Sequence, residues 1–204
     1  MDQELMNRRT VGIQAFSLVE LLVVIAIIAL LMSFTSIAIT SALTGSEMER
    51  AGQTVADAIK LARQEAVSKN REVQLVLLEM PQDAFPKAWR GVEIWRIDET
   101  VNGPVTNKVS RLQRLPSQMI VSSNSALSPL LSASSTLQGT TNAAGLSGLS
   151  YRAIRFRPDG TLAGANGTTN FLTIQSARAT GAPPDNYFTV SINPLTGKVT
   201  TIRP

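Results

Sequence analysis

The sequence predicts an α+β protein in which a long N-terminal helix, membrane-spanning in its first half, packs on a small antiparallel β domain. Three observations predict it. Leu21 to Met32 is an unbroken run of twelve apolar residues. Met48, Ala51, Val55, Ile59, Ala62 and Ala66 then recur at three- and four-residue spacing, the signature of one buried helix face. After Asn70 the pattern shifts to short runs rich in β-formers, separated by Gly, Pro, Ser and Asn. A chain of 204 residues with 44% hydrophobic content supports one modest domain plus a long element.

The 22 residues from Leu18 to Ile39 would extend roughly 33 Å as a helix, close to the hydrocarbon thickness of a bilayer. Glu20 inside the run, no small-residue exit site after it and continued helical patterning argue against a cleaved secretory signal. Arg8 and Arg9 before the run favour an inside N-terminus. No proline interrupts Phe16 to Asn70, so one continuous helix is expected, with Gly45 and Gly52 softening the join between its halves. Strands are expected at Val73–Glu79, Val92–Ile97, Met119–Ser122, Tyr151–Phe156, Phe171–Gln175, Tyr187–Asn193 and Lys198–Ile202. Pro194-Leu195-Thr196-Gly197 reads as the turn of a terminal hairpin, and Gly164-Ala165-Asn166-Gly167 as a second turn. Leu115 to Tyr151 contains no charged residue and reads as a long loop or irregular strands, anchored by Leu127, Leu130, Leu131 and Leu137.

Charge and residue inventory restrict the chemistry. The net charge is +4, but residues 47–99 carry −2 and residues 100–204 carry +7, so the positive field belongs to the distal portion. With no cysteine and no histidine, disulfides, thiolate chemistry, imidazole metal ligands and the usual near-neutral general base are absent. Ser147 and Ser150 lie among small loop residues rather than in a nucleophile context. Asp83, Asp98, Glu99, Asp159 and Asp185 lack a metal-ligand rhythm. The chain is therefore expected to be no enzyme, with no catalytic residue, metal or cofactor.

Gln14-Ala15-Phe16-Ser17-Leu18-Val19-Glu20-Leu21-Leu22 strongly resembles the processing and assembly motif of type IV prepilins and general secretion pseudopilins. Phe156-Arg157-Pro158-Asp159-Gly160-Thr161 and Asn193-Pro194-Leu195-Thr196-Gly197-Lys198-Val199 resemble late sheet elements of the branch holding FimT- or GspH-like minor subunits. The arrangement also looks like a cassette-encoded prepilin-like protein of environmental bacteria. The resemblance implies that residues 1–15 are a cytoplasmic leader, 16–70 the long helix and 71–204 a periplasmic or extracellular β domain with its loop-rich region near 122–150. It implies that a prepilin peptidase cuts after Ala15, where the family usually has glycine, and N-methylates Phe16. Glu20, fifth in the mature chain, then sets filament register by pairing with the Phe16 amine of a neighbouring subunit. An unpaired carboxylate in apolar surroundings is costly, which independently requires Glu20 to be paired, neutralised or kept at a wet edge.

The implied function is that of a minor pilin or pseudopilin subunit of a type IV pilus or type II secretion-like pseudopilus. Its implied partners are the prepilin peptidase, other pilin-like subunits and the inner-membrane assembly platform. Its implied location is the bacterial inner membrane, single-pass with the C-terminal domain periplasmic, and then the filament. The alternative is a DNA-binding minor pilin for DNA uptake, with DNA as partner, in which Arg152, Arg155 and Arg157, joined after folding by Arg178 and Arg203, hold phosphates. Strand alternation puts Arg155 and Arg157 on the Tyr151 face and Arg152 on the Ile154 face, the division of an ordinary sheet.

Overall fold

The computed structural model describes residues 16–82, 85–133, 136–164 and 169–204; the side chains of 34–43, 82 and 85 also lie outside the description. The helix α1 covers Leu18–Lys69. The membrane-spanning expectation is corrected here: among the described residues, no helix is long and apolar enough to cross a membrane. The transmembrane assignment falls with it, as does the single-pass inner-membrane placement built on it.

The chain divides into two units, 1–43 and 44–204. In the second, Met48, Ala51, Val55, Ile59, Ala62 and Ala66 are all completely buried, as their spacing predicts. The helix stops at Asn70, whose φ of 51° is left-handed. Its N–H reaches the Val67 carbonyl and the Arg71 N–H reaches that of Ala66, so the last orphan carbonyls are satisfied by a Schellman-type end with asparagine in the usual glycine place.

Among the described residues ten strands follow: β1 (Glu72–Gln82), β2 (Phe85–Thr100), β3 (Gly103–Lys108), β4 (Gln113–Arg114), β5 (Met119–Val121), β6 (Leu137–Ala143), β7 (Leu146–Phe156), β8 (Phe171–Ser176), β9 (Tyr187–Ile192) and β10 (Val199–Ile202). They form one antiparallel sheet ordered β10-β9-β8-β5-β2-β1-β7-β6, with β3 and β4 also paired to β2. The terminal hairpin β9–β10 is present, in register from Ile192↔Val199. A short helix, α2 (Pro129–Ser132), buries Leu130 and Leu131, whereas Leu137 is exposed on β6. Of the Gly164–Gly167 turn, residues 165–167 lie outside the described residues.

Alternation along β1 divides its side chains between two apolar layers. Val73, Leu75 and Leu77 join the buried helix face, Val92, Ile94, Ile154, Phe156, Phe188 and Val190 in the larger core. Val76 and Leu78 join Met80, Trp95, Leu149 and Ala153 on the other face. Burial on both faces accounts for the unbroken Leu75-Val76-Leu77-Leu78 run where a half-exposed strand would alternate. Each large aliphatic side chain so buried contributes about 1.5–3 kcal/mol.

A polar clamp ties three elements together. The Arg96 guanidinium donates to both Asp98 carboxylate oxygens, at 2.9 and 3.0 Å, and to Glu65 of α1 at 3.1 Å, while the Asn107 amide of β3 donates to Asp98 at 2.6 Å. Arg96 first, and then Asn107, hold the Asp98 carboxyl below its ordinary value. A carboxylate with a depressed folded pKa stabilises above its unfolded value, and that contribution fades as pH falls through the folded one. Thermal unfolding followed from pH 6 downward is therefore expected to show an acid-dependent drop beginning near about pH 4, which Asp98→Asn makes shallower. An unchanged slope in the variant would assign the acid response to other groups.

Candidate functional site

Helix α1 begins on a serine cap. The Ser17 hydroxyl accepts from the Val19 N–H at 3.2 Å and its carbonyl from the Leu21 N–H at 3.1 Å, so Ser17 stands at the N-cap and Leu18 opens the helix. Glu20 is then the third helical residue and lies exposed in the first turn. A carboxylate there complements the partial positive charge of the helix start, and Ser-x-x-Glu is the capping-box spacing. Phe16, immediately before the cap, is 74% exposed. Ala15, the expected scission residue, lies outside the described residues.

From Leu18 to Met32 the large apolar side chains are exposed on every side of the helix, including Leu21, Leu22, Ile25, Ile28 and Leu31. An ordinary surface helix shows an apolar stripe; one apolar around its whole circumference requires apolar neighbours on all sides. The Ser33 hydroxyl returns to the Ala29 carbonyl at 2.9 Å, so that polar group adds no demand of its own. Thr35 and Ser36 have side chains outside the described residues.

The five arginines occupy different settings. Arg152 lies on the α2 side of β7, donates to the Leu131 carbonyl and sits over the Trp89 ring at 5.8 Å from its centroid. Arg155, three residues on and facing the other way, pairs loosely with Glu72 at 3.7 Å. Arg203 pairs with Glu49 at 3.2 Å. Arg157 and Arg178 are exposed, the first after β7 and the second after β8, strands separated in the sheet by β1, β2 and β5.

The two glycine-containing motifs are turns, and the fold brings them together. Asp159 accepts from the Thr161 N–H at 2.9 Å and hydroxyl at 2.7 Å, bonds that hold its carboxyl below the ordinary value. The Asn193 side-chain oxygen accepts from the Leu195 and Thr196 N–H groups at 3.0 and 3.1 Å. Gly160 and Gly197 have φ of 80° and 64°, and a side chain on Gly197 would overlap both the Gly160 carbonyl oxygen and Arg63 of α1. Arg63 was legible only as a polar position on the helix. That two turns from remote segments close around it needed the fold.

Among the described residues, no group of three or more Asp or Glu is placed to hold a metal ion. A family model described as Type II transport protein GspH matches residues 51–196. No curated protein matches the chain. Among solved structures, the chain is similar to the minor pseudopilin EpsH from the type 2 secretion system of Vibrio cholerae, at 13% identity and a TM-score of 0.41, covering 78% of this chain and 98% of that one. It is also similar to the type IV minor pilin FimU of Pseudomonas aeruginosa PAO1, at 15% identity and a TM-score of 0.41, covering 78% of this chain and 93% of that one.

Proposed function

The chain belongs to the Type II transport protein GspH family, and from that premise we propose that it is a minor pilin or pseudopilin subunit that assembles into a type IV pilus or pseudopilus after a prepilin peptidase has cut between Ala15 and Phe16. At the coarser level it is a general secretion or pilus-associated, pilin-like structural protein without catalytic machinery, and its partners lie among the assembly components of such systems.

One observation supports the finer reading above the others: a helix whose exposed surface between Leu18 and Met32 is apolar around its whole circumference. A single partner groove would cover one stripe and leave the remainder wet. A bundle of like helices covers every side, at about 1.5–3 kcal/mol for each large aliphatic side chain fully buried. Other pilin-like subunits supply such helices, and the assembly platform would deliver them.

A photo-crosslinking residue placed at Leu22 and, separately, at Val24 tests this in cells that carry the assembly machinery. These positions are two apart on the helix and lie on nearly opposite faces. Adducts to pilin-like proteins are expected from both. Adducts from one position alone would indicate a stripe and a groove, and no protein adduct from either would remove the filament reading.

A further inference from the structure

A cleft of about 410 Å³ lies between α1 and the β9–β10 turn, lined by Lys60, Arg63, Thr196, Gly197, Lys198 and Val199. Three of its six lining residues are cationic and none is acidic. The Lys60 ammonium meets Asp57 at 2.9 Å, but both groups are more than half exposed, and such a pair exchanges at little cost. Lys198 is exposed and forms no ion pair among the described residues. Arg63 is the unusual member. Its stem is pressed against Gly160 and Gly197, and its Nε is sealed from solvent with no hydrogen-bond partner among the described residues. A guanidinium donor removed from water and left without an acceptor is unfavourable, and only the terminal N–H groups of Arg63 are left to meet an anion in the cleft.

We propose that this cleft is a carboxylate-binding site that takes an acidic side chain from an extended segment of a partner protein. The lack of free main-chain donors favours a carboxylate over a phosphate. Phosphate sites draw on free main-chain N–H groups, but here those of the turn are spent internally. Leu195 and Thr196 give theirs to the Asn193 side chain, Gly197 to the Asn193 carbonyl and Lys198 to the Thr196 hydroxyl. What remains is a planar guanidinium fork flanked by two ammonium groups, and the fork matches the two oxygens of a carboxylate. No aromatic residue lines the cleft, so a nucleic acid would find no stacking surface there. The volume exceeds that of a lone small anion and leaves room for the stem of the side chain that carries it. This assignment does not depend on filament assembly.

The test is fluorescence anisotropy of a labelled hexa-aspartate peptide against the full chain at low salt. Arg63→Lys keeps the charge and loses the fork; Lys198→Gln removes an exposed cation that the fold does not need. Arg111→Gln, an exposed arginine outside the cleft, makes the same change in net charge. Weakening of roughly tenfold for Arg63→Lys and several-fold for Lys198→Gln is expected, with Arg111→Gln like the parent. Equal weakening by Lys198→Gln and Arg111→Gln, with Arg63→Lys like the parent, would reduce the effect to net charge and overturn the site. So would the absence of peptide binding, or a duplex DNA probe that binds more tightly and loses affinity in the same two cleft variants. If Arg63→Lys unfolds, Lys198→Gln against Arg111→Gln still decides.

Discussion

Replacing Gly52 by alanine is expected to destabilise the 44–204 unit by about 1–2 kcal/mol, and replacing it by valine by about 3 kcal/mol or more. Helix propensity points the other way, since alanine is favoured over glycine in a helix interior by about 0.8–1.0 kcal/mol. Space decides the sign. A Cβ built on Gly52 overlaps the Phe188 ring, closer than real Cβ contacts come, and Phe188 is 2% exposed. The ring has nowhere to retreat. It belongs to β9, opposite Ile174, within the core that α1 covers. Overpacking a filled core costs about 1–3 kcal/mol, more than propensity returns. The double variant Gly52→Ala, Phe188→Leu isolates the contact: if the clash is the cause, its loss of stability is smaller than the sum of the two single losses. Urea midpoints measure all three. Should Gly52→Ala raise the midpoint, propensity rather than close approach governs this position.

Gly52 also shows how the sequence misleads. It reads as a soft join because a missing side chain is visible and the ring that uses the space, far along the chain, is not. The buried helix face was legible from Met48 to Ala66 because apolar residues repeat at the helical period there. The β9–β10 hairpin was legible because Pro194-Leu195-Thr196-Gly197 states its turn chemistry locally. Strands β3 and β6 were not, since both are mostly exposed and polar. Gly103–Lys108 and Leu137–Ala143 carry no apolar alternation and owe their extended form to pairing with β2 and β7. Arg152 could be placed on the Ile154 face by alternation. Its contacts with Leu131 and Trp89 belong to segments that alternation along one strand says nothing about.

Glu20→Leu is expected to leave the melting of the 44–204 unit unchanged while reducing incorporation into filaments by a factor of about 100. If Glu20 pairs with the Phe16 amine of a neighbouring subunit, the factor corresponds to the lower end, about 3 kcal/mol, of the cost of removing one partner of a desolvated charge pair. The competing account is local: Glu20 merely caps a helix that starts at Ser17, an effect worth about 0.3–1 kcal/mol at an exposed site. Glu20→Gln separates the two. Glutamine occupies the third capping-box position nearly as well as glutamate, so a capping residue tolerates it and incorporation stays near the parent level. A carboxylate that pairs with the Phe16 amine of a neighbour does not tolerate it, and the glutamine variant then fails as the leucine variant does. A bulky residue at Ala15 that blocks scission removes the amine instead of the acid. If amine and carboxylate act as one pair, the Ala15 and Glu20 substitutions are non-additive, the double variant losing little more than either alone. Recovery of each variant in sheared filaments, set against total subunit, measures these ratios. Full incorporation of Glu20→Leu would leave the register of the bundle to apolar packing alone.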